Sequence, residues 1–243
     1  MIVIVLGMHR SGTSLVSSVL HSMGVKMGEE VHLERRDPDS QPQGYWEDQD
    51  FTSLNRLIIR DAKGHWHRPP KRERILQAAR GWNEDMAQII ATKQKVMESE
   101  NLAARTLTGA SSWIGWGWKD PRSCLTIEAW WPHLLERDIR FVRVRRERRA
   151  IIDSLIRRGE QLGNVPLAEQ RAAWIPVIQD HENRITNFFV RTGSPCIDIH
   201  YEHLVNRGGH IAPLTKIADL LGLEGRQFIE GLQAAEARIE FRG

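Results

Sequence analysis

The chain has 243 residues, enough for one large α/β domain with a full hydrophobic core. Its 41% hydrophobic and 27% charged content is that of an ordinary globular protein, and a formal charge of +3 excludes the global field of a nucleic-acid coat. Two cysteines, Cys124 and Cys196, exclude a disulfide framework and fit a reducing compartment.

Ile2–Leu6 is a continuous apolar run, as expected of a parallel strand buried on both faces. It is too short to span a membrane and lacks a basic leader and a cleavage site, so the chain reads as cytoplasmic with no membrane span. Ser14–Met23 has helical apolar spacing, and strand, glycine loop and helix open a nucleotide-binding α/β fold. Residues Glu29 to Gly44 read as a surface loop, and Phe51 to Asp61 as a helix. Beyond Pro69 and Pro70, Arg72 to Ala104 carries the stripe Ile75, Leu76, Ala79, Trp82, Met86, Ile89 and Ile90 of a helix or helical pair over the core.

The second half alternates. Strands are expected at Trp116–Trp118, Arg140–Arg145 and Pro195–Ile199. Helices are expected at Leu125–Glu136, Arg148–Arg158, Leu167–Arg191 (started or kinked by Pro176), Ile211–Leu221 and Arg226–Ala237. Strands separated by helices imply an α/β fold with a parallel sheet and right-handed crossovers. With no repeat or linker, residues 1–243 read as one domain.

The segment Gly7-Met-His-Arg-Ser-Gly-Thr-Ser14 has the glycine spacing and final hydroxyl of a nucleotide phosphate loop, but Thr13 stands where the lysine belongs and the charge sits at Arg10. Backbone N–H groups, the following helix's positive end and the hydroxyls of Ser11, Thr13 and Ser14 still suit a phosphate, with Gly12 shaping the turn. Without the loop lysine, the β/γ-phosphate neutralisation of a kinase is missing, favouring a 5′-phosphate with a different leaving partner.

A second basic segment, Phe141 to Ser154, ends a strand in arginines and opens a helix. An arginine fork at Arg146 with the Ser154 hydroxyl suits a terminal phosphate, while Arg143 and Arg148 have no assigned task.

The loop resembles that of the sulfotransferases that use 3′-phosphoadenosine-5′-phosphosulfate (PAPS), especially the bacterial and Golgi-type branch with Arg-Ser-Gly-Thr. The resemblance implies a P-loop-like parallel sheet flanked by helices. It makes Arg10 the base at the phosphosulfate, and Arg146 with Ser154 the 3′-phosphate site of PAPS and of its product, adenosine 3′,5′-bisphosphate. Arg148 stands where many members carry proline.

Trp116-Gly-Trp-Lys-Asp-Pro-Arg122 is similar to a Lys-Asp-Pro stretch of tyrosylprotein sulfotransferases and bacterial relatives, which implies a catalytic Lys119 near the phosphosulfate. Two carboxylates compete as general base: Glu47 in Gly44-Tyr-Trp-Glu47 and Glu30 in Gly28-Glu-Glu30, each resembling a family segment, with Glu47 slightly favoured. Tyr201 and Glu202 resemble a segment that organises the sheet edge. His65 and His67 lack metal-ligating company, so no metal is expected.

Residues 62–112 match no family segment and read as a helical insertion on the acceptor side. The expected partner is a small-molecule, sugar or peptide acceptor, with no nucleic acid; the sequence fixes neither the acceptor nor the oligomeric state. The alternatives are a P-loop kinase of a nucleotide or small molecule, or a non-catalytic nucleotide-binding protein of the same fold.

Overall fold

A computed structural model describes residues 1–28, 33, 44–163 and 165–239. In chain order come β1 (Ile2–Leu6), α1 (Thr13–Ser22), β2 (Val25–Lys26), α2 (Gln49–Asp61), α3 (Arg72–Ala79), α4 (Asn83–Thr108), β3 (Gly115–Lys119) and α5 (Ser123–Trp130). Then follow β4 (Ile139–Arg145), α6 (Arg148–Arg157), α7 (Gln170–Thr192), β5 (Cys196–His200), α8 (Tyr201–Leu204), α9 (Ile211–Leu221) and α10 (Gly225–Glu236).

All pairings within the sheet are parallel, in the order β2-β3-β1-β4-β5. The apolar run of β1 is central and buried on both faces, which is why it shows no polar alternation. Ile2, Ile4 and Leu6 face a layer with Phe51, Ile58, Ile75, Met86, Ile90, Trp116, Trp118, Trp130 and Phe141. Val3 and Val5 face the other layer, with Val16, Val19 and Leu20 of α1, Leu214 and Ile217 of α9 and Ala235 of α10. A third cluster joins Met8 and Trp66 to Ile151, Ile152 and Leu155 of α6 and Trp174 and Ile178 of α7. It closes over the start of the loop that follows β1.

Three expectations need correction. The helix expected at Leu125–Glu136 stops at Trp130 and tightens into a 3₁₀ turn over Trp131–His133, because Pro132 has no N–H to continue the ladder. By contrast, Pro176 does not start a helix: α7 begins at Gln170 and is continuous through it. Its buried stripe (Trp174, Ile178, His181, Ile185, Phe188) outweighs the roughly 3 kcal/mol that an interior proline costs. The two-residue β2 was not expected at all. Residues 72–108 are α3, a 3₁₀ turn at Arg80–Trp82 and α4. No described helix is long and apolar enough to cross a membrane.

Candidate active site

The loop leaving β1 turns through two left-handed residues, Arg10 at φ 66° and Gly12 at φ 97°, before α1 begins at Thr13. Gly12 answers two demands at once. A side chain there would be strained, and its Cβ would overlap the Tyr201 ring. Ser11 is buried with its hydroxyl oxygen unpartnered, a polar group the loop holds ready.

The lysine that the loop lacks arrives from the next strand. Val5 of β1 pairs with Lys119 of β3, so the lysine leaves the sheet beside the loop. Its Nζ donates to Ser14 Oγ at 3.2 Å and to Glu47 Oε1 at 2.7 Å. Lys119 is 1% exposed, and burial lowers its pKa while Glu47 pulls the other way. Glu47 also lies 3.6 Å from Arg122 Nη1 through its second oxygen.

Glu47 is presented by a short tethered segment. The Ser14 hydroxyl donates to the Tyr45 carbonyl at 3.1 Å. Trp46 takes a left-handed φ of 55° and packs on His21 of α1 at 4.7 Å between ring centroids. Asp48 then caps α2 by accepting from Asp50 N. Glu30, the competing carboxylate, lies outside the described residues.

The arginine-rich segment sorts itself by partner. Arg143 and Arg145 share Asp198, each at 2.8 Å, and Arg148 pairs with Glu182 at 2.6 Å. Arg146 turns instead toward the loop, donating to the Arg10 carbonyl at 2.8 Å, with its guanidinium 4.4 Å from the Tyr201 ring centre. Arg10 Nε in turn donates to Ser154 Oγ at 3.0 Å. Burial, then the neighbouring Arg158, lowers the Arg10 pKa. Glu202 of α8 accepts from the backbone N–H of Glu147 at 2.9 Å, tying the turn after β5 to the start of α6.

The structure therefore brings Arg10, Ser11, Gly12, Thr13, Ser14, Glu47, Lys119, Arg146 and Ser154 to one end of the sheet. It adds residues that sequence reasoning missed. Tyr201 is a wall of the site as well as a sheet-edge residue. Arg122 stands beside Glu47. His9 lies against Trp66, with ring centroids 4.1 Å apart and Nε2 buried without a partner. Burial, followed by Arg122, His181, Lys119 and Arg158, holds the His9 pKa well below the usual imidazole range. Its position inside the loop was the only signal for it. The His65 and His67 rings lie tilted with centroids 4.1 Å apart, and no group of three metal-ligating side chains occurs among the described residues.

A parallel sheet whose central strand feeds a glycine loop and then a helix puts the molecule in the class of α/β proteins built around a phosphate-type loop. A model of the sulfotransferase family matches residues 3–227, and the chain belongs to that family. Among solved structures it is similar to the sulfotransferase domain of the olefin synthase of Synechococcus PCC 7002, with TM-score 0.54 and 17% identity over 94% of this chain and 75% of that one. The sulfotransferase domain from the curacin biosynthetic pathway follows, with TM-score 0.49 and 13% identity over 94% of this chain and 76% of that one. No curated protein matches the chain.

Proposed function

We propose that this sulfotransferase-family protein moves a sulfuryl group from PAPS to the hydroxyl of a small-molecule, sugar or peptide acceptor. The observation that carries the reading is the hydrogen bond from Arg10 to Ser154, 3.0 Å long and 144 residues apart in sequence. The 5′- and 3′-phosphates of this nucleotide hang on one ribose, so their two sites must adjoin, and here the two anion motifs touch. The unpartnered Ser11 hydroxyl and the close approach at Gly12 fit a phosphate cradled in the loop.

PAPS supplies an activated sulfuryl group whose bond to the 5′-phosphate oxygen breaks as the acceptor oxygen bonds to sulfur. Arg10 and Lys119 supply positive charge where negative charge builds on that leaving oxygen and on the sulfuryl oxygens. Lys119 reaches them by giving up Glu47, and this exchange frees the carboxylate to take the acceptor's proton. Arg146, Ser154 and Tyr201 hold the 3′-phosphate end. The helical insertion over residues 62–112 offers the acceptor its wall.

Calorimetry tests the nucleotide assignment. Adenosine 3′,5′-bisphosphate should bind at least ~10-fold more tightly than AMP, since a charge-assisted fork is worth about 1.5–3 kcal/mol. Equal affinities, or a preference for ATP with Mg²⁺, would sink it.

A further inference from the structure

Behind Lys119 lies a polar network sealed inside the helical layer. Asn55 of α2 is fully buried and engages four partners. Its Nδ2 donates to Asp120 Oδ2 at 2.9 Å and to Ser123 Oγ at 3.3 Å. Its Oδ1 accepts from Thr126 Oγ1 at 2.6 Å and from Trp130 Nε1 at 2.8 Å. Asp120, also fully buried, divides its two oxygens: one accepts from Asn55, the other from the backbone N–H and Nη1 of Arg122 at 3.0 and 2.8 Å.

A buried carboxylate is costly unless its lone pairs are met, and here both oxygens are bonded. The network therefore fixes the Arg122 guanidinium, and that guanidinium ends 3.6 Å from Glu47 Oε2. Glu47 thus stands between two cations. Lys119 holds one oxygen at 2.7 Å, and Arg122 faces the other.

We propose that Arg122 is a positioning residue that keeps the Glu47 carboxylate aimed when Lys119 leaves it for the transferring group, and that Asn55 sets Arg122 through Asp120. The inference rests on Glu47 being the base that takes the acceptor's proton. Lys119 has to change partner during transfer, and a carboxylate left with no cation would swing or recruit another. Arg122 is kept from following Lys119, because its Nη1 is held by a carboxylate that Asn55 holds in turn.

The test uses the whole 243-residue chain, with water as acceptor: single-turnover release of labelled sulfate from PAPS, alongside calorimetry with adenosine 3′,5′-bisphosphate. Arg122→Ala should slow release about 10- to 100-fold, the scale of loss when a reacting group is displaced by about 1 Å. Bisphosphate affinity should change less than about 3-fold. Added guanidinium ion should restore part of the rate, which a purely structural loss would not allow. Glu47→Gln should be slow by itself, and adding Arg122→Ala to it should cost little more, because both act on one carboxylate.

Asn55→Asp supplies a pH signature. It sets two carboxylates side by side, which share a proton at low pH and repel once both ionise. The charged groups around that pair are Arg122 and Lys119, with Glu47 beyond them; His9 and His65 both sense Arg122, and the Cys124 thiol senses Asp120. Release by Asn55→Asp should approach the unaltered protein at low pH and fall away as pH rises, at pH values where melting shows the variant folded. Asn55→Ala should be slow without that added dependence. Additive losses, no guanidinium rescue, or a parallel loss of bisphosphate affinity would overturn the proposal. Slow Glu47→Gln with a fully active Arg122→Ala would remove Arg122 alone. A fully active Glu47→Gln would remove the base assignment and this inference with it.

Discussion

At the deep end of the cleft Lys119 lies against a carboxylate, 2.7 Å from Glu47, whereas at the outer end Arg10 leans on the Ser154 hydroxyl and Arg146 on a carbonyl and an aromatic ring. A carboxylate cancels most of its partner's field, so Lys119 exerts little pull on a distant anion and must exchange partners to act. A hydroxyl, a carbonyl or a ring orients a guanidinium without cancelling its charge. On the proposed reading, Arg10 and Arg146 hold the nucleotide's phosphates in the ground state at the outer end, and Lys119 at the deep end answers charge that appears during transfer. Arg143 and Arg145 of β4, by contrast, share the Asp198 carboxylate on β5.

The sharpest way to break this contrast is Lys119→Met, which keeps the length of the buried side chain and removes its charge. Single-turnover transfer should fall about 10²- to 10³-fold, with bisphosphate affinity changing only a few-fold. A variant that loses affinity and rate together would erase the distinction between the ends. Arg146→Ala should show the reverse balance: bisphosphate affinity down about 10- to 100-fold by calorimetry, and turnover at saturating PAPS little changed. Arg10→Ala should be mixed, losing turnover first and also some affinity, because its side chain reaches Ser154.

His9 reports on both ends, since Arg122 and Lys119 from one and Arg158 from the other help keep it neutral. An imidazole with a lowered pKa carries fewer protons than it does in the unfolded chain below about pH 6.5, so it detracts from stability as pH falls through that window. A bound anion has the opposite effect and favours the imidazolium. Bisphosphate binding near pH 6 should therefore take up more proton, or release less, in the unaltered protein than in His9→Gln, since the ligand's own phosphates (second pKa about 6) contribute equally to both; calorimetry in buffers of different ionisation enthalpy reads the difference. The smallest expected effect is that of a chelator: with the cleft's cations supplied by side chains, EDTA should leave transfer unchanged, and restoration of a lost rate by Mg²⁺ would point to phosphoryl chemistry.

Much of the sheet was legible because β1 is an apolar run that stops at Gly7 and β4 is a short apolar run ending in arginines. β2 was not, being two residues long. Both anion motifs could be read locally, but their meeting could not. The contact of Arg10 with Ser154 depends on β1 and β4 lying side by side, which no local pattern encodes. Asn55 did leave a trace: it interrupts the apolar face of α2 between Phe51, Leu54 and Ile58, where a polar side chain needs buried partners. Arg122 looked like any charge after a proline until Asp120 was seen to aim it. Pro176 does not mark a helix start because propensity is local, while the stripe that holds α7 together is packed from outside.

The strand order has a consequence for how such a protein can diverge. Lys119 and Arg146 leave the two strands that flank β1, so two inter-strand steps of about 4.8 Å separate their points of departure. Backbone hydrogen bonding maintains that gauge, whatever side chains cover it. Mutations in α3 and α4 can therefore remodel the covering layer without altering the spacing between the two cations. On the proposed reading that residues 62–112 wall the acceptor, exchanging the exposed faces of α3 and α4 between family members, with Ile75, Ala79, Met86, Ile90 and Met97 kept for the core, is the way to retarget it.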